Sequence, residues 1–281
     1  MRWYDATIHP VVFVEALVKD LGDVGTRDSE TGRRRRELGE ETPLTFDRLA
    51  YVKQRFPSRK AQYCTEYLKL RPQLRWMNEN ADGLLKDGFE RYSGIRADES
   101  ALRASQPERE WDDFFDCYLN RPILHWTKEQ VFAYLKEAGE EVNPLYRMGF
   151  GRVGCAPCIN SSKEDIHNWA TRFPEMIDKI RRWEQSVGRT FFYPMIPARD
   201  YDRAMVAWKE QWLVSGSPTG ANRHKVVVKE GAPPPPERPI NWIDDVVAWS
   251  KTTRGGRQIS LPFAEAEADS GACSSKYGLC D

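Results

Sequence analysis

Gly154-Cys155-Ala156-Pro157-Cys158 sets two thiols three positions apart on a turn punctuated by glycine and proline, so both can point at one ion. Such a pair is half of a metal site. The other half has to come from a distant part of the chain, which makes long-range closure onto this turn the first demand on the fold. The remaining cysteines are Cys64, Cys117, Cys273 and Cys280. Zinc modules usually show a second such pair or nearby histidines, whereas the four histidines here are scattered at positions 9, 125, 167 and 224. An iron–sulfur site is therefore favoured over zinc. Thiol–disulfide redox and simple packing as small buried hydrophobes are the other readings of the pair.

Working outward, 281 residues of which 40% are hydrophobic and 30% charged suffice for one sizeable core, or for a core domain with an appendage. Lys and Arg number 42, as do Asp and Glu, so no whole-molecule field draws the chain to nucleic acid or to an anionic membrane, and any anion site must be local. No segment approaches the about 20 apolar residues of a membrane span, and Met1-Arg2-Trp3-Tyr4-Asp5 lacks the apolar run of a secretory signal. A cytoplasmic location follows as the expectation, with cysteines free, catalytic or metal-bound rather than paired.

Apolar positions 11, 14, 17, 18 and 21 predict a first helix over 11–22 with Gly22 as its stop. Residues 23–43 are almost wholly polar and read as a solvated loop, in which Arg33-Arg34-Arg35-Arg36 offers a phosphate-contacting arm. Helices are predicted over 45–55 and 65–77, broken by Pro57, which places Cys64 at the mouth of the second. A strand is predicted within 84–95. Thr127 and Gln130 form a capping box whose helix has Val131, Phe132 and Leu135 on one buried face, with Trp126 stapling onto Val131 and Gly139 as terminator. A second capping box at 161–165 opens a helix carrying His167, Trp169 and Phe173, and Pro174 restarts a helix to about Val187. Residues 226–239, with Pro233-Pro234-Pro235-Pro236, read as a linker before an amphipathic helix over 242–251 and a cysteine-containing tail.

Several positions bear chemistry. Cys64, behind Arg59 and Lys60 at a helix start, is expected to have a lowered pKa and to act as ligand or nucleophile. Cys117, among Trp111, Phe114, Phe115 and acids, is expected to have a raised one and to be core. Cys273 and Cys280, near a Tyr-Gly-Leu-Cys turn, are assigned a site role for at least one of them. Arg96 and Arg103 with Glu99 and Ser100 make a loop and helix start suited to an oxyanion, or else an ordinary helix start with an internal ion pair. Lys69 falls along the helix that begins near Cys64, as a ligand contact or as surface.

Taken in order, these segments resemble the phosphoadenosine phosphosulfate reductase family, within the adenine nucleotide alpha-hydrolase-like superfamily. The residues that carry the resemblance are 59–69, Gly94-Ile95-Arg96 with Glu99, Ser100 and Arg103, the run from Pro122 to Trp126-Thr127, Asn143-Pro144-Leu145-Tyr146, and the cysteine turn. The resemblance implies that Lys69, Arg96 and Arg103 contact the phosphate or sulfate of an adenine nucleotide substrate of the adenylyl sulfate type. It implies that Cys64, Cys155 and Cys158 hold a [4Fe-4S] cluster, with Cys280 as fourth ligand and zinc as runner-up. Cys280 or Cys273 would stand for the family's sulfur-attacking cysteine, although Tyr277 occupies that nucleophile's place in Lys276-Tyr277-Gly278-Leu279-Cys280. The family's Ser-Gly-Gly-x-Asp-Ser phosphate loop does not occur in this sequence, and residues 5–10 are similar to a worn form of the acidic turn after the second strand, so the chain is expected to begin inside the usual domain.

The implied fold is α/β: a reduced parallel sheet flanked by helices, with the ligand crevice at the carboxyl ends of the strands and a helical C-terminal part. The expected division is 1–160 as the reductase-like domain, 161–225 as a helical extension, 226–240 as the linker and 241–281 as helix and tail. The expected function is an iron–sulfur enzyme performing sulfonucleotide reduction or sulfur transfer, with an electron donor protein as partner and nucleic acid as a possible acceptor. The competing expectation is a non-catalytic nucleotide- or nucleic-acid-binding protein whose cysteine site is structural.

Overall fold

The computed structural model describes residues 13–25, 29–58, 61–83, 88–151, 153–192, 195–218 and 225–253. His9, Arg59, Lys60, His224, Cys273 and Cys280 lie outside them.

The N-terminal part does not form the helix expected over 11–22. Among its described residues only Val18–Leu21 turn, as a single 3-10 helix closed by Gly22 at φ 57°. Leu17 instead bridges to Pro43, the Val18 N–H donates to the Thr42 carbonyl at 2.9 Å, and the Leu44 N–H donates to the Ala16 carbonyl at 2.6 Å. The β-branched residues that give the segment its apolar period also favour extended backbone.

The polar stretch after it is not a loop throughout: α1 spans Glu30–Leu38, capped by the Ser29 hydroxyl, which accepts from the Gly32 N–H at 3.1 Å. Its arginines are engaged within the protein. Arg33 pairs with Glu30 and Glu37; Arg34 pairs with Glu30 and lies over the Tyr51 ring; Arg35 holds Glu40 and donates to the Gly22 and Val24 carbonyls. The expected phosphate-contacting arm is thus a salt-bridged helix face.

Helix α2 spans Phe46–Lys53 and ends at Gln54 in the left-handed conformation. One continuous helical run then comprises α3 (Tyr63–Thr65), a π-helical segment (Glu66–Leu70) and α4 (Arg71–Glu79). Strand β1 (Glu90–Tyr92) leads through the 3-10 turn Ala97–Glu99 into α5 (Ala101–Ala104). Strands β2 (Arg109–Asp112) and β3 (Cys117–Asn120) follow as a hairpin whose turn places Asp116 at φ 53°.

The sheet order is β1-β3-β2. β1 runs parallel to β3, with Arg91 opposite Leu119, and β2 is antiparallel to it, with Asp112 opposite Cys117. The fold is α/β, with a mixed rather than wholly parallel sheet. Alternation along β3 turns Cys117 and Leu119 into the protein and Tyr118 out, so Cys117 packs with Leu70, Met77 and Phe115 as the sequence predicts.

Then come α6 (Lys128–Glu137), α7 (Pro144–Arg147), α8 (Lys163–Arg172), α9 (Pro174–Val187) and α10 (Arg199–Trp212). Both predicted capping boxes form: Gln130 N–H to Thr127 Oγ1 at 3.3 Å, and Asp165 N–H to Ser162 Oγ at 3.0 Å. The apolar face of α6 is only half-buried, and Trp126 meets Tyr134 edge-on at 5.4 Å.

Strands β4 (Leu213–Ser215) and β5 (Val227–Val228) pair antiparallel, and α11 (Ile243–Ser250) closes the described chain. The proline stretch is pinned by Trp208, whose indole N–H donates to the Pro233 carbonyl at 2.9 Å. Beyond it α11 docks back on α8 and α9, so the helix read as the start of a tail contributes Ile243 and Val246 to the main core. That core also contains Phe56, Phe150, Ile166, Trp169 and Ile180; Phe46, Trp183 and Phe191 stack to join α2 to α9. Among the described residues no helix is long and apolar enough to cross a membrane.

Candidate functional site

The helical run from Tyr63 sets Cys64 in its first turn, with Tyr63 anchored by a hydroxyl that donates to the Arg55 carbonyl. The turn at 154–158 is fixed from its downstream side: Cys158 accepts from the Ser161 N–H through its carbonyl at 3.0 Å and from the Asn160 N–H through Sγ at 3.4 Å. Its Ala156–Pro157 bond is cis. Cys155 is exposed and Cys158 half-buried.

The fold brings these segments together. Cys64 is pushed up to about 11, first by burial and then by the neighbouring Cys155 and Cys158, while Lys69 opposes the rise. This reverses the expectation of a lowered thiol pKa: desolvation outweighs the helix start and the nearby ammonium. Cys117 lies elsewhere, in the sheet core, and its thiol is also raised mainly by burial.

A small cavity of about 20 Å³ opens beside the cysteine turn, lined by Gly154, Cys155, Cys158, Ser161, Asp165 and Trp169. Asp165 closes the cap of α8: its Oδ2 accepts from the Ser162 N–H at 2.9 Å and from the Ser162 hydroxyl at 2.8 Å. Sequence reasoning read 161–165 only as a helix start. The signal it passed over is that the N-cap, Ser162, stands only four residues after Cys158, which leaves Ser161 and Asp165 lining the cavity beside the thiol turn.

In donor chemistry the three thiols fit a soft-metal or iron–sulfur group. Among the described residues, however, no set of three or more His, Cys, Asp or Glu is drawn close enough to enclose a single ion. The arrangement is three convergent thiols, not a closed cage.

The loop after β1 takes the second of its two readings. Glu99 binds the Arg103 guanidinium, which is only 1% exposed, and accepts from the Arg96 N–H at 3.0 Å. Arg96 also pairs with Asp98 at 3.1 Å, and Asp98 accepts from the Lys128 N–H at the start of α6 at 3.1 Å. Ser100 caps α5 by accepting from the Arg103 N–H at 3.2 Å. The protein's own carboxylates thus occupy the donors that an oxyanion was expected to use. The loop does lie at the carboxyl end of β1, tied to the segment after β3 by the Ala97 N–H and the Leu124 carbonyl at 2.7 Å.

Comparison with known proteins gives these pieces a common origin. Residues 45–161, from α2 through the cysteine turn, match the phosphoadenosine phosphosulfate reductase domain. An uncharacterized 37.8 kDa protein of Escherichia phage 186 is 31% identical over 283 aligned residues, covering 95% of this chain and 73% of that protein. The adenosine 5'-phosphosulfate reductases of Allochromatium vinosum and Streptomyces coelicolor are 33% and 40% identical over 87 and 78 residues. Those matches cover 30% and 26% of this chain, which spans about a third of either reductase's length (34% and 33%). With the domain match running through Cys64, the Arg96 loop and the Cys155–Cys158 turn, the chain belongs to the phosphoadenosine phosphosulfate reductase family.

Proposed function

We propose that the chain performs sulfur chemistry on an adenylyl sulfate-type substrate, as a sulfonucleotide reductase or a sulfur transferase. The observation that carries this reading is the nearness of Cys64 to Cys155, Cys158 and Lys69, all of which act on its thiol, inside the segment that matches the reductase domain. Cys64, Cys155 and Cys158 are the proposed holders of a [4Fe-4S] cluster, with Cys280 as fourth thiolate and zinc as the alternative occupant. When bound, the cluster would supply a local charge and polarity suited to a sulfate-bearing group. Lys69, the ammonium that acts on Cys64, is proposed to face the anionic end of the substrate. Arg96 and Arg103 shape the loop through Asp98 and Glu99.

In reduction, the Cys273 thiolate, or that of Cys280 where the cluster takes another fourth ligand, would bond to the sulfate sulfur as the sulfur–oxygen bond to the adenylate phosphate breaks and AMP leaves. A second thiol would then displace sulfite. The two sulfurs would end as a disulfide, and an external dithiol protein would return the two electrons.

Anaerobically purified protein is expected to be brown, with absorbance near ~400 nm and about four irons per chain. Cys155→Ser is expected to abolish the iron and Cys117→Ser to retain it. A colourless protein with about one zinc per chain sinks the cluster, and equal iron loss in both variants overturns the ligand set. The engagement of Arg96 and Arg103 favours a second reading, a non-catalytic nucleotide- or nucleic-acid-binding protein with a structural cysteine site. Sulfite release from adenylyl sulfate in the presence of a dithiol separates the two.

A further inference from the structure

Most arginines described so far are matched to a carboxylate: Arg33 and Arg34 to Glu30, Arg35 to Glu40, Arg96 to Asp98, Arg103 to Glu99. The end of α2 is different. Lys53, the last residue of α2, and Arg55, just past its left-handed cap, form no ion pair among the described residues, yet both line an open groove of about 370 Å³ against the start of α3. The Lys53 ammonium sits over the Tyr67 ring at 4.3 Å and the Tyr63 ring at 5.6 Å, and the Arg55 guanidinium lies 5.7 Å from the Tyr63 centroid.

The groove's one carboxylate, Glu66, is already held by Arg71 through two hydrogen bonds of 2.9 and 2.8 Å. Lys53, Arg55 and Arg71 against Glu66 leave an excess of positive charge. Partial burial makes that excess costly, and the Lys53 pKa is lowered by desolvation ahead of the opposing pull of Glu66. A bound anion relieves this cost; a neutral ligand does not. Tyr63 and Tyr67 are buried, 8% and 7% exposed, so their rings support the cations from below and offer no face for a base to stack on. The recognition here is ionic, directed at an oxyanion.

We propose that the Lys53–Arg55 groove is an oxyanion site that takes the phosphate of a nucleotide. Tyr63 of the groove directly precedes Cys64, so the groove and the Cys64 thiol are built on the same helical run. The site thereby deepens the proposed function, on whose nucleotide substrate it rests, and gives the chain an anion-binding face built from α2 and α3 in place of the self-paired Arg96 loop. Because base contacts are not part of it, AMP and other nucleoside monophosphates are expected to bind this subsite alike.

The test is calorimetric titration of the full chain with inorganic phosphate, AMP, adenylyl sulfate and an oligothymidylate, at low and high salt, against Lys53→Gln, Arg55→Gln and the double variant. Thermal unfolding checks that each variant is folded, and Lys53→Arg serves as the charge-conserving control. The expected result is AMP binding that weakens about tenfold in each single variant, survives in Lys53→Arg and fades with salt. Adenylyl sulfate bound equally by parent and folded double variant overturns the groove and leaves the proposed function standing. Phosphate bound through the groove without adenylyl sulfate binding keeps the site and removes the nucleotide substrate. An oligothymidylate that outbinds AMP and is lost in the double variant reassigns the groove to nucleic acid, and no anion binding at all sinks both.

Discussion

Arg103 is where residue type and residue role part company. Sequence alone allows it a substrate or a self-pair, because Glu99 and Arg103 stand four apart and both readings need the same spacing. Burial decides between them: the Arg103 side chain is fully enclosed and its partner Glu99 largely so. Removing one partner of a buried pair leaves the other charged and unmatched, so Arg103→Ala is expected to destabilise the protein by about 3–5 kcal/mol in urea denaturation. A variant of unchanged stability would return Arg103 to the pool of ligand contacts. The cysteines divide similarly. Cys117 was legible as core because aromatics and acids flank it, whereas the raised pKa of Cys64 was not, since its causes are tertiary burial first and then two thiols from far along the chain. In metal-free folded protein, Cys155 is expected to react with a thiol reagent well before Cys117, as counted by mass spectrometry; parity would contradict the exposure of the one and the burial of the other.

At the scale of elements, α8 and α9 follow their sequence signals closely, because a capping box, a proline at the first helical position and Gly188 in the left-handed conformation are local instructions. Residues 13–17 carried a periodicity with no local start signal, and pairing with 42–44 overrode it. Glu184 is a non-local element of a kind that periodicity cannot reveal. It is a buried carboxylate on α9, accepting from the Phe191 N–H at 2.8 Å and from the Ile243 N–H at 2.9 Å, and so joining three segments. Glu184→Ala orphans both donors and is expected to cost about 2–4 kcal/mol by chemical denaturation. Burial raises the Glu184 pKa above its ordinary 4.5, with the two N–H donors opposing. The folded state then binds its proton more tightly than the unfolded chain, so this group's contribution to stability falls as pH climbs from 4.5 through the folded value. Glu184→Gln is expected to flatten that slope in urea titrations run at a series of pH values; an unchanged slope would assign it to other groups.

For the whole molecule, the α/β class was legible, because ordered motifs constrain which segments must meet, and Cys64 does lie near enough to Cys155 and Cys158 to feel their charge. The closure of the helical layer was not legible. A run of four prolines reads as a spacer, and the Trp208 anchor, the contacts of Arg238 with Ile196, Asp202 and Tyr201, and the fit of α11 onto α8 and α9 make it a strap. A chain ended after Ile240 loses Ile243 and Val246, each worth about 1.5–3 kcal/mol when fully buried, and is expected to show a lowered melting temperature. An unchanged melting temperature would mean that α11 is an ornament. The strap also fixes where the polypeptide leaves. Lys163 at the start of α8 donates to the Thr252 carbonyl, so the chain departs beside the helix whose first turn borders the thiol cavity.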